Sequence, residues 1–596
     1  MEAGIDREPA LAAAPGPLEG GASRGDSGGA AGTALAAAAA AALAACGGGA
    51  DSATDSAAQA AAAQSDALGI SRVPTVRDAT RFLTQATFGV RSVDEVGALR
   101  ELGFNRWLAA QFALEADSHL AYIEARRKER VARDNPMPRA YEEDSYEAMW
   151  QQWLFGKDVL RARMSWALMQ IMVISNIAPD IRPHAMSSYM DMVNRNAFGN
   201  YRQLLEDVTL HPAMGYYLNM LESEKADPAA GTHPNENYAR EVLQLFSIGL
   251  VKLKPDGTPQ LDANGKTIPT FDESVVRGFA RAFSGWSYGA LDNTDPDQFH
   301  HHDDNLEALW VVPMKAWAAF HSPESKTLLD GTLLPAGQTA EKDMADALDN
   351  IFRHPNVAPF ISRQLIQRLV TSNPSPAYVS DVAGVFNDNG AGVRGDLKAV
   401  LRAILLHAQA RGDDANSRAG YGKLREPVVR FANFLRGLNA SSQNGRNAIH
   451  YLDSADDALG QSPLLAPSVF NFYSPSYRPA GALAAAGLVA PEFQITTETT
   501  VVGSLNFFAS LFADGGYGYD ASRLRLDTAP LVALAGGDGQ ALVDRLDALF
   551  FNSQMGTQSR DRLLRLIAAT PAGDRDERVR RTLLVTALSP DFVVQK

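Results

Sequence analysis

Cysteine is almost absent from this chain. Of 596 residues only Cys46 carries a thiol, so no disulfide can form within the chain. If that thiol is taken up by lipid, thiolate metal sites and cysteine catalysis are excluded as well. Positive charge is also in deficit: 55 Lys and Arg face 69 Asp and Glu, a net charge of -14. Such a chain repels phosphate backbones, and nucleic acid is not expected as a partner. Apolar runs are too short to span a bilayer, which takes about 20 residues. No full Gly-x-x-x-x-Gly-Lys-Ser/Thr phosphate loop and no His-Glu-x-x-His pair occurs. No cofactor and no metal site is expected.

What is present starts with Cys46 itself. It closes Leu43-Ala44-Ala45-Cys46-Gly47, after an unbroken apolar stretch over residues 34–45. A small-residue cleavage site after a short apolar segment marks a secretory signal. A cysteine directly behind it resembles the bacterial lipobox, in which the thiol takes a diacylglyceryl group. The other reading is an Ala-rich, low-complexity stretch with an incidental cysteine. The lipobox reading makes residues 1–45 a signal peptide and Cys46 the lipidated first residue of the mature chain. It predicts export and a membrane link through lipid alone. By resemblance to known lipoproteins, Gly47 in second place points to the periplasmic face of the outer membrane. Arg7 and Arg24 stand against Glu2, Asp6, Glu8, Glu19 and Asp26, although signal peptides want a positive start. That pattern fits a translation start near Arg24 better than one at Met1. Residues 46–70 are small, polar and aperiodic, and read as a flexible tether.

Beyond the tether the spacing is helical nearly throughout. Helices are predicted over 78–88, 92–102 and from an Asn105 cap, then over 142–174 as two helices split near Gly156. Others fit 196–210, 212–221, 339–352, 357–371, 375–387, 397–407, 426–438, 496–511, 538–551, 560–569 and 574–588. The best strand signal is 250–270, where Pro255-Asp256-Gly257 and Asn264-Gly265 are turn sequences. The expected fold is mainly α, one large multi-helix domain with a small β-hairpin insertion. Three irregular stretches, 288–319, 413–422 and 461–491, are long enough to be functional or disordered. The aromatics and prolines of Phe470-Asn471-Phe472-Tyr473-Ser474-Pro475 argue for order in the third.

The densest polar motif is His233-Pro234-Asn235-Glu236-Asn237-Tyr238-Ala239-Arg240-Glu241. Pro234 suits a first turn, and Asn235 or Thr232 can cap it. Tyr238, Val242, Leu245 and Phe246 make the apolar stripe. The Glu236–Arg240 spacing allows a surface pair worth about 0.2–0.5 kcal/mol. The sharper reading is a cluster of carboxylates, amides and a guanidinium aimed into a cleft. Further on, Thr270-Phe271-Asp272-Glu273 reads as a capping box for the helix that leads to Trp286. His300-His301-His302-Asp303-Asp304 is a histidine run with poor metal spacing, best read as a solvated loop.

The motif is similar to the Asn-Glu-Asn-Tyr-Ala-Arg-Glu-Leu signature of a bacterial family catalogued as domain of unknown function 1800. Other stretches resemble that family in order. They are residues 81–89 from Arg81, 196–200 from Asn196, 211–214 from His211, 279–286 from Phe279 and 354–360 from His354. The similarity spans residues 76–596, and the family helical domain is assigned to 71–596. The chain departs where many members have Phe-Trp-His-Asn; it has Ser165-Trp166-Ala167-Leu168-Met169-Gln170. The resemblance implies export, but no activity. It also implies a partner: members are often encoded beside an exported family catalogued as domain of unknown function 1501, which resembles the sulfatase and phosphatase fold. It adds weight to a binding cluster of Asn235, Glu236, Asn237, Arg240 and Glu241, with Arg281 and Trp286 expected to meet it at the wall of the main cleft.

Two functions follow. One is a lipid-anchored envelope protein that binds or assists a secreted partner. The other is a hydrolase of an envelope polymer that works through the Glu/Arg cluster. Paired carboxylates cleave glycosidic bonds at separations of about 5–9.5 Å. Glu236 and Glu241 lie five apart on one helix and point in different directions, which favours the first.

Overall fold

Thr75 opens the first helix. Its hydroxyl accepts the Asp78 amide at 3.1 Å, and the Asp78 carboxylate accepts the Thr75 amide at 3.2 Å. The structure, a computed structural model, describes residues 73–131, 139–177, 181–303, 305–412 and 420–596. Cys46, the expected signal peptide and the whole of the expected tether lie outside the described residues, as do residues 413–419 of the second irregular stretch and Asp304.

Helices dominate. In chain order they are α1 Val76–Ala86, α2 Val93–Leu102, α3 Phe104–Phe112, α4 His119–Val131, α5 Glu142–Phe155, α6 Val159–Met169, α7 Pro183–Asn196, α8 Tyr201–Leu210 and α9 Pro212–Tyr217. Then come α10 Asn237–Gln244, α11 Glu273–Ala282, α12 Ala340–Arg353, α13 Val357–Leu369, α14 Pro376–Asn387 and α15 Leu397–Leu406. The last are α16 Pro427–Gly437, α17 Glu498–Ala513, α18 Gln540–Phe550, α19 Thr557–Ala568 and α20 Arg575–Leu588. The fold class is mainly α, as the periodicity predicts.

Two helices carry no clear sequence signal. α4, His-Leu-Ala-Tyr-Ile-Glu-Ala-Arg-Arg-Lys-Glu-Arg-Val, is so rich in charge that its apolar stripe is thin. α7 is buried on nearly every side, its polar His184, Ser187, Ser188, Asp191 and Asn194 included, so it shows no two-faced pattern. Two expected caps fall elsewhere. Gly103 both ends α2 and opens α3, which puts Asn105 inside the first turn. Thr270 hydrogen-bonds the Gly249 carbonyl, while Asp272 caps α11 by accepting the amides of Ser274 at 2.9 Å and Val275 at 3.2 Å.

The insertion at 250–270 folds back on itself through antiparallel bridges Val251–Pro269, Leu253–Pro259 and Leu261–Thr267. Four further antiparallel pairs are only two residues long, too short for an alternating pattern to show. β1 Trp286–Ser287 pairs with β2 Lys315–Ala316, and β3 Lys326–Thr327 with β4 Leu333–Leu334. β5 Lys423–Leu424 pairs with β8 Val594–Gln595, and β6 Gly516–Tyr517 with β7 Leu524–Arg525. The β5–β8 pair ties the C-terminus to the middle of the chain.

The core is aromatic in two ways. Toward the N-terminus, Trp153 lies 5.1 Å from Trp150 and 5.0 Å from Trp166, edge to face. Toward the C-terminus, Phe434 of α16 meets Phe512, Phe550 and Phe592 at 5.1, 4.7 and 4.9 Å. One buried charge is paired several times over. Asp343 accepts His321 Nε2 at 2.8 Å and Gln338 Nε2 at 2.7 Å and is bonded to Lys326 Nζ; the Lys326 and Asp343 side chains are fully buried. Burial alone would raise the Asp343 carboxyl, but these partners hold it below the usual aspartate range. This network sits under α11, where Gly278 packs so closely that a Cβ would fall 2.0 Å from the Thr327 carbonyl oxygen.

Candidate functional site

Several stretches that carry the family resemblance hold the fold together from inside. Arg81 donates to the carbonyls of Arg411 at 2.5 Å and Gly412 at 3.3 Å. Asn196 donates to Asp207 at 2.7 Å. His211 and His354 each turn Nδ1 back on the amide two residues on, at 3.2 Å. Asn356 staples the entry to the β insertion: its side chain donates to the carbonyls of Ile248 at 2.9 Å and Val251 at 2.7 Å and accepts the Leu253 amide at 2.8 Å. Buried amides and guanidinium groups survive this way because each finds partners.

The signature helix differs. α10 is anchored by Tyr238, whose hydroxyl meets Thr209 Oγ1 at 2.6 Å and whose ring lies 5.5 Å from Phe283. Val242 and Phe246 are buried with it. From that anchor Asn235, Glu236, Asn237 and Arg240 turn outward, exposed or half-buried. Asn235 Oδ1 accepts the Asn237 amide at 2.9 Å, an Asx turn rather than a helix cap. The Asn235 amide donates to Ser223 Oγ at 2.9 Å, and the Asn237 side chain to Asn219 Oδ1 at 3.3 Å. Asn219 and Glu222 have φ of 59° and 61°. Asparagine tolerates that left-handed conformation, whereas for glutamate it is uncommon.

Arg240 is held by two carboxylates. It forks onto Glu273 at 2.8 and 2.9 Å and reaches Glu236 at 3.2 Å. These hydrogen bonds, that to Glu273 first, raise its pKa. Glu241 points inward, 6% exposed, with Oε2 bonded to nothing. Burial raises its carboxyl above the ordinary glutamate range, opposed by the charge of Arg240.

The expected pocket with Arg281 and Trp286 does not form as foreseen. Arg281 is exposed and forms no ion pair with Glu236 or Glu241 among the described residues. α11 instead contributes the acid, Glu273, and α10 the guanidinium. Trp286 is buried in β1, and its carbonyl accepts the Glu222 amide at 2.9 Å. It therefore sits behind the turn that holds Asn235. Three cavities, of about 160, 190 and 10 Å³, are lined by other residues and do not include the signature.

The histidine run joins this surface. His302 Nε2 lies 2.6 Å from Glu222 Oε1, and His300 Nδ1 lies 3.6 Å from Glu222 Oε2. His302 packs edge-on against Tyr288 and His300 against Phe299. Only His301 turns away, to the Asp297 carbonyl. The run is a largely exposed loop, as expected, but His300 and His302 are drawn toward Glu222, and His300 Nε2 also lies 4.0 Å from Glu224. Asn219, Glu222, Ser223 and Glu273 had no local signal as site residues, since each depends on a turn or helix distant in sequence. Among the described residues one group, Glu124, His184 and Glu307, brings three ligand atoms within 4.8 Å of one another. Arg127 already lies 2.7 Å from Glu124 and 4.0 Å from Glu307, and supplies the cation that such a group would otherwise take from a metal.

No curated protein and no solved structure matches the chain. A family model does, over residues 81–594, and the chain belongs to the family it describes, protein of unknown function (DUF1800).

Proposed function

We propose that this is an exported, lipid-anchored envelope protein that binds or assists a secreted partner through the surface around Asn235, Glu236, Asn237 and Arg240. One observation carries the reading. Arg81, Asn196 and Asn356, in other family motifs, are spent on buried contacts, while the signature keeps amides, carboxylates and a guanidinium at the surface. Surface polar groups that the fold does not need are candidates for recognition. The proposed partner is an exported protein of the domain of unknown function 1501 family. The proposed location is the periplasmic face of the outer membrane, reached through a lipid on Cys46. Radiolabelled palmitate should enter the wild type and not Cys46→Ser; equal label in both refutes the anchor.

A second reading rests on Glu241. A buried carboxyl with a raised pKa and one open oxygen is what a general acid needs, as in hydrolysis of an envelope polymer. It is the weaker reading because no second carboxylate acts on Glu241. Pull-down from the protein's own envelope separates the two. The binding reading expects Arg240→Gln to lose the partner and Glu241→Gln to keep it. Loss of polymer turnover in Glu241→Gln, with the partner retained by Arg240→Gln, would establish the hydrolase instead.

A further inference from the structure

The C-terminal half holds an apolar groove whose one charge has no counter-ion. α16, α17 and the end of α20 border a cavity of about 190 Å³, walled by Leu424, Leu459, Ile495, Val501 and Leu588. Arg430 also lines it, and no carboxylate does. The Arg430 Nε is buried and bonded to nothing, and the side chain forms no ion pair among the described residues. Its charged neighbour is another cation, Arg425, which is already spent on Asn433 at 2.9 Å and on the Phe592 ring at 4.7 Å. Burial pushes Arg430 down to about 10, so it is still charged at neutral pH.

The groove is open and its walls are firm. Val501 is 54% exposed and Leu588 41%, so apolar side chains face the opening. α17 packs closely behind it: a Cβ on Gly503 would lie 2.2 Å from the Ala455 carbonyl oxygen. Leu588 also lines a second cavity of about 160 Å³, with Phe551, Leu563 and Val585. The two cavities therefore have Leu588 as a common wall.

We propose that this groove binds a long-chain fatty carboxylate, with the carboxylate on the Arg430 guanidinium and the hydrocarbon along Ile495, Val501 and Leu588. A half-buried guanidinium whose Nε is buried and unbonded, in a groove without a carboxylate, calls for an anion from outside, and its planar fork fits a carboxylate with two hydrogen bonds. The apolar walls suit an alkyl chain. Of the hydroxyls that also line the groove, Thr496 and Thr500 already donate to the carbonyls of Glu492 at 3.0 Å and Ile495 at 2.9 Å, which leaves Ser504 and too few partners for the amides of a peptide terminus; the volume leaves no room for a two-chain phospholipid.

Calorimetry on the full chain tests this with monomeric dodecanoate, dodecan-1-ol, dodecyl phosphate and dodecyltrimethylammonium. Dodecanoate should bind about tenfold or more tightly than the alcohol, since a charge-assisted pair is gained. The cation should not bind measurably. Arg430→Gln should abolish the preference for acid over alcohol while the alcohol still binds. The wild-type series alone decides the matter if that variant fails to fold. Equal binding of acid and alcohol, no binding of dodecanoate, a preference for dodecyl phosphate, or an unchanged preference in folded Arg430→Gln each overturns the proposal.

Discussion

The signature surface and the C-terminal groove treat an arginine in opposite ways. Arg240 stands half-buried between Glu236 and Glu273, its charge answered twice within the fold. Arg430 stands among Leu424, Ile495 and Val501 with no answering charge at all. The first arrangement costs little and adds little: exposed pairs are worth about 0–1 kcal/mol. The second costs free energy in the unliganded protein, because the Nε of a half-buried guanidinium loses water and gains no partner. A paired surface cation is thus available for recognition without being needed for stability. One with a buried, unbonded Nε and no carboxylate in its groove is the basis for proposing an anion from outside. The two regions propose two different partners, a protein surface for one and an amphiphile for the other.

A third arginine-free case sets the scale. Asp343, beneath α11, is fully buried with Lys326 and His321. Asp343→Ala removes one partner and strands a buried ammonium, so it should cost about 3–5 kcal/mol, read by chemical denaturation. Because the folded carboxyl is held below its ordinary value, its stabilisation is complete above the unfolded pKa and is lost as pH falls through the folded one. The wild type should weaken in acid more steeply than the variant. An Asp343→Ala cost below about 1 kcal/mol would erase the contrast between buried and surface pairs.

How far the sequence led depends on distance along the chain. Caps, turns and the 3.6-residue stripe are local, and most helices were therefore legible to within a few residues: Ser92, Thr339 and Ser375 cap the helices that follow them. α7 was not, because a helix buried all round has no stripe. The signature was legible as a motif, and its outward polar face followed from Tyr238 and Val242 facing in. Its partners were not. Glu273 is 33 residues from Arg240 and His302 is 80 from Glu222, and nothing local in either segment marks the meeting. The groove was invisible for the same reason: Arg430, Val501 and Leu588 share no pattern until α16, α17 and α20 are packed.

Glu241 gives the next effect down the scale. Its folded carboxyl titrates above the ordinary glutamate value because burial disfavours the anion. The folded state therefore holds that proton to higher pH than the unfolded chain, and stability falls as pH rises from the unfolded pKa through the folded one. Glu241→Gln removes the ionisable group and should be more stable than the wild type at pH 7, by about 1 kcal/mol, with no gain at pH 4. A loss of stability at both pH values would mean that the carboxylate has a partner the geometry does not show, and would move Glu241 from the unpaired class to the paired one.

The smallest expected change is at Arg240, and it bears most directly on function. Both carboxylates that hold Arg240 are accessible, Glu236 at 24% and Glu273 at 61% side-chain exposure. Water can replace the guanidinium at each, so Arg240→Gln should change unfolding free energy by no more than about 1 kcal/mol. The helix itself stays anchored through Tyr238 on Thr209 and Phe283. If the surface serves recognition, the same variant should lose its partner in envelope pull-down despite a wild-type melting curve. Restoring charge with Arg240→Lys should recover only part of that binding, since an ammonium cannot fork onto Glu273 and hold Glu236 in the same geometry. A variant that melts like the wild type and retains its partner would show Arg240 to be a solvated surface pair and nothing more. One that loses both stability and partner would make Arg240 a structural residue after all, and the distinction between the two arginines would rest on the groove alone.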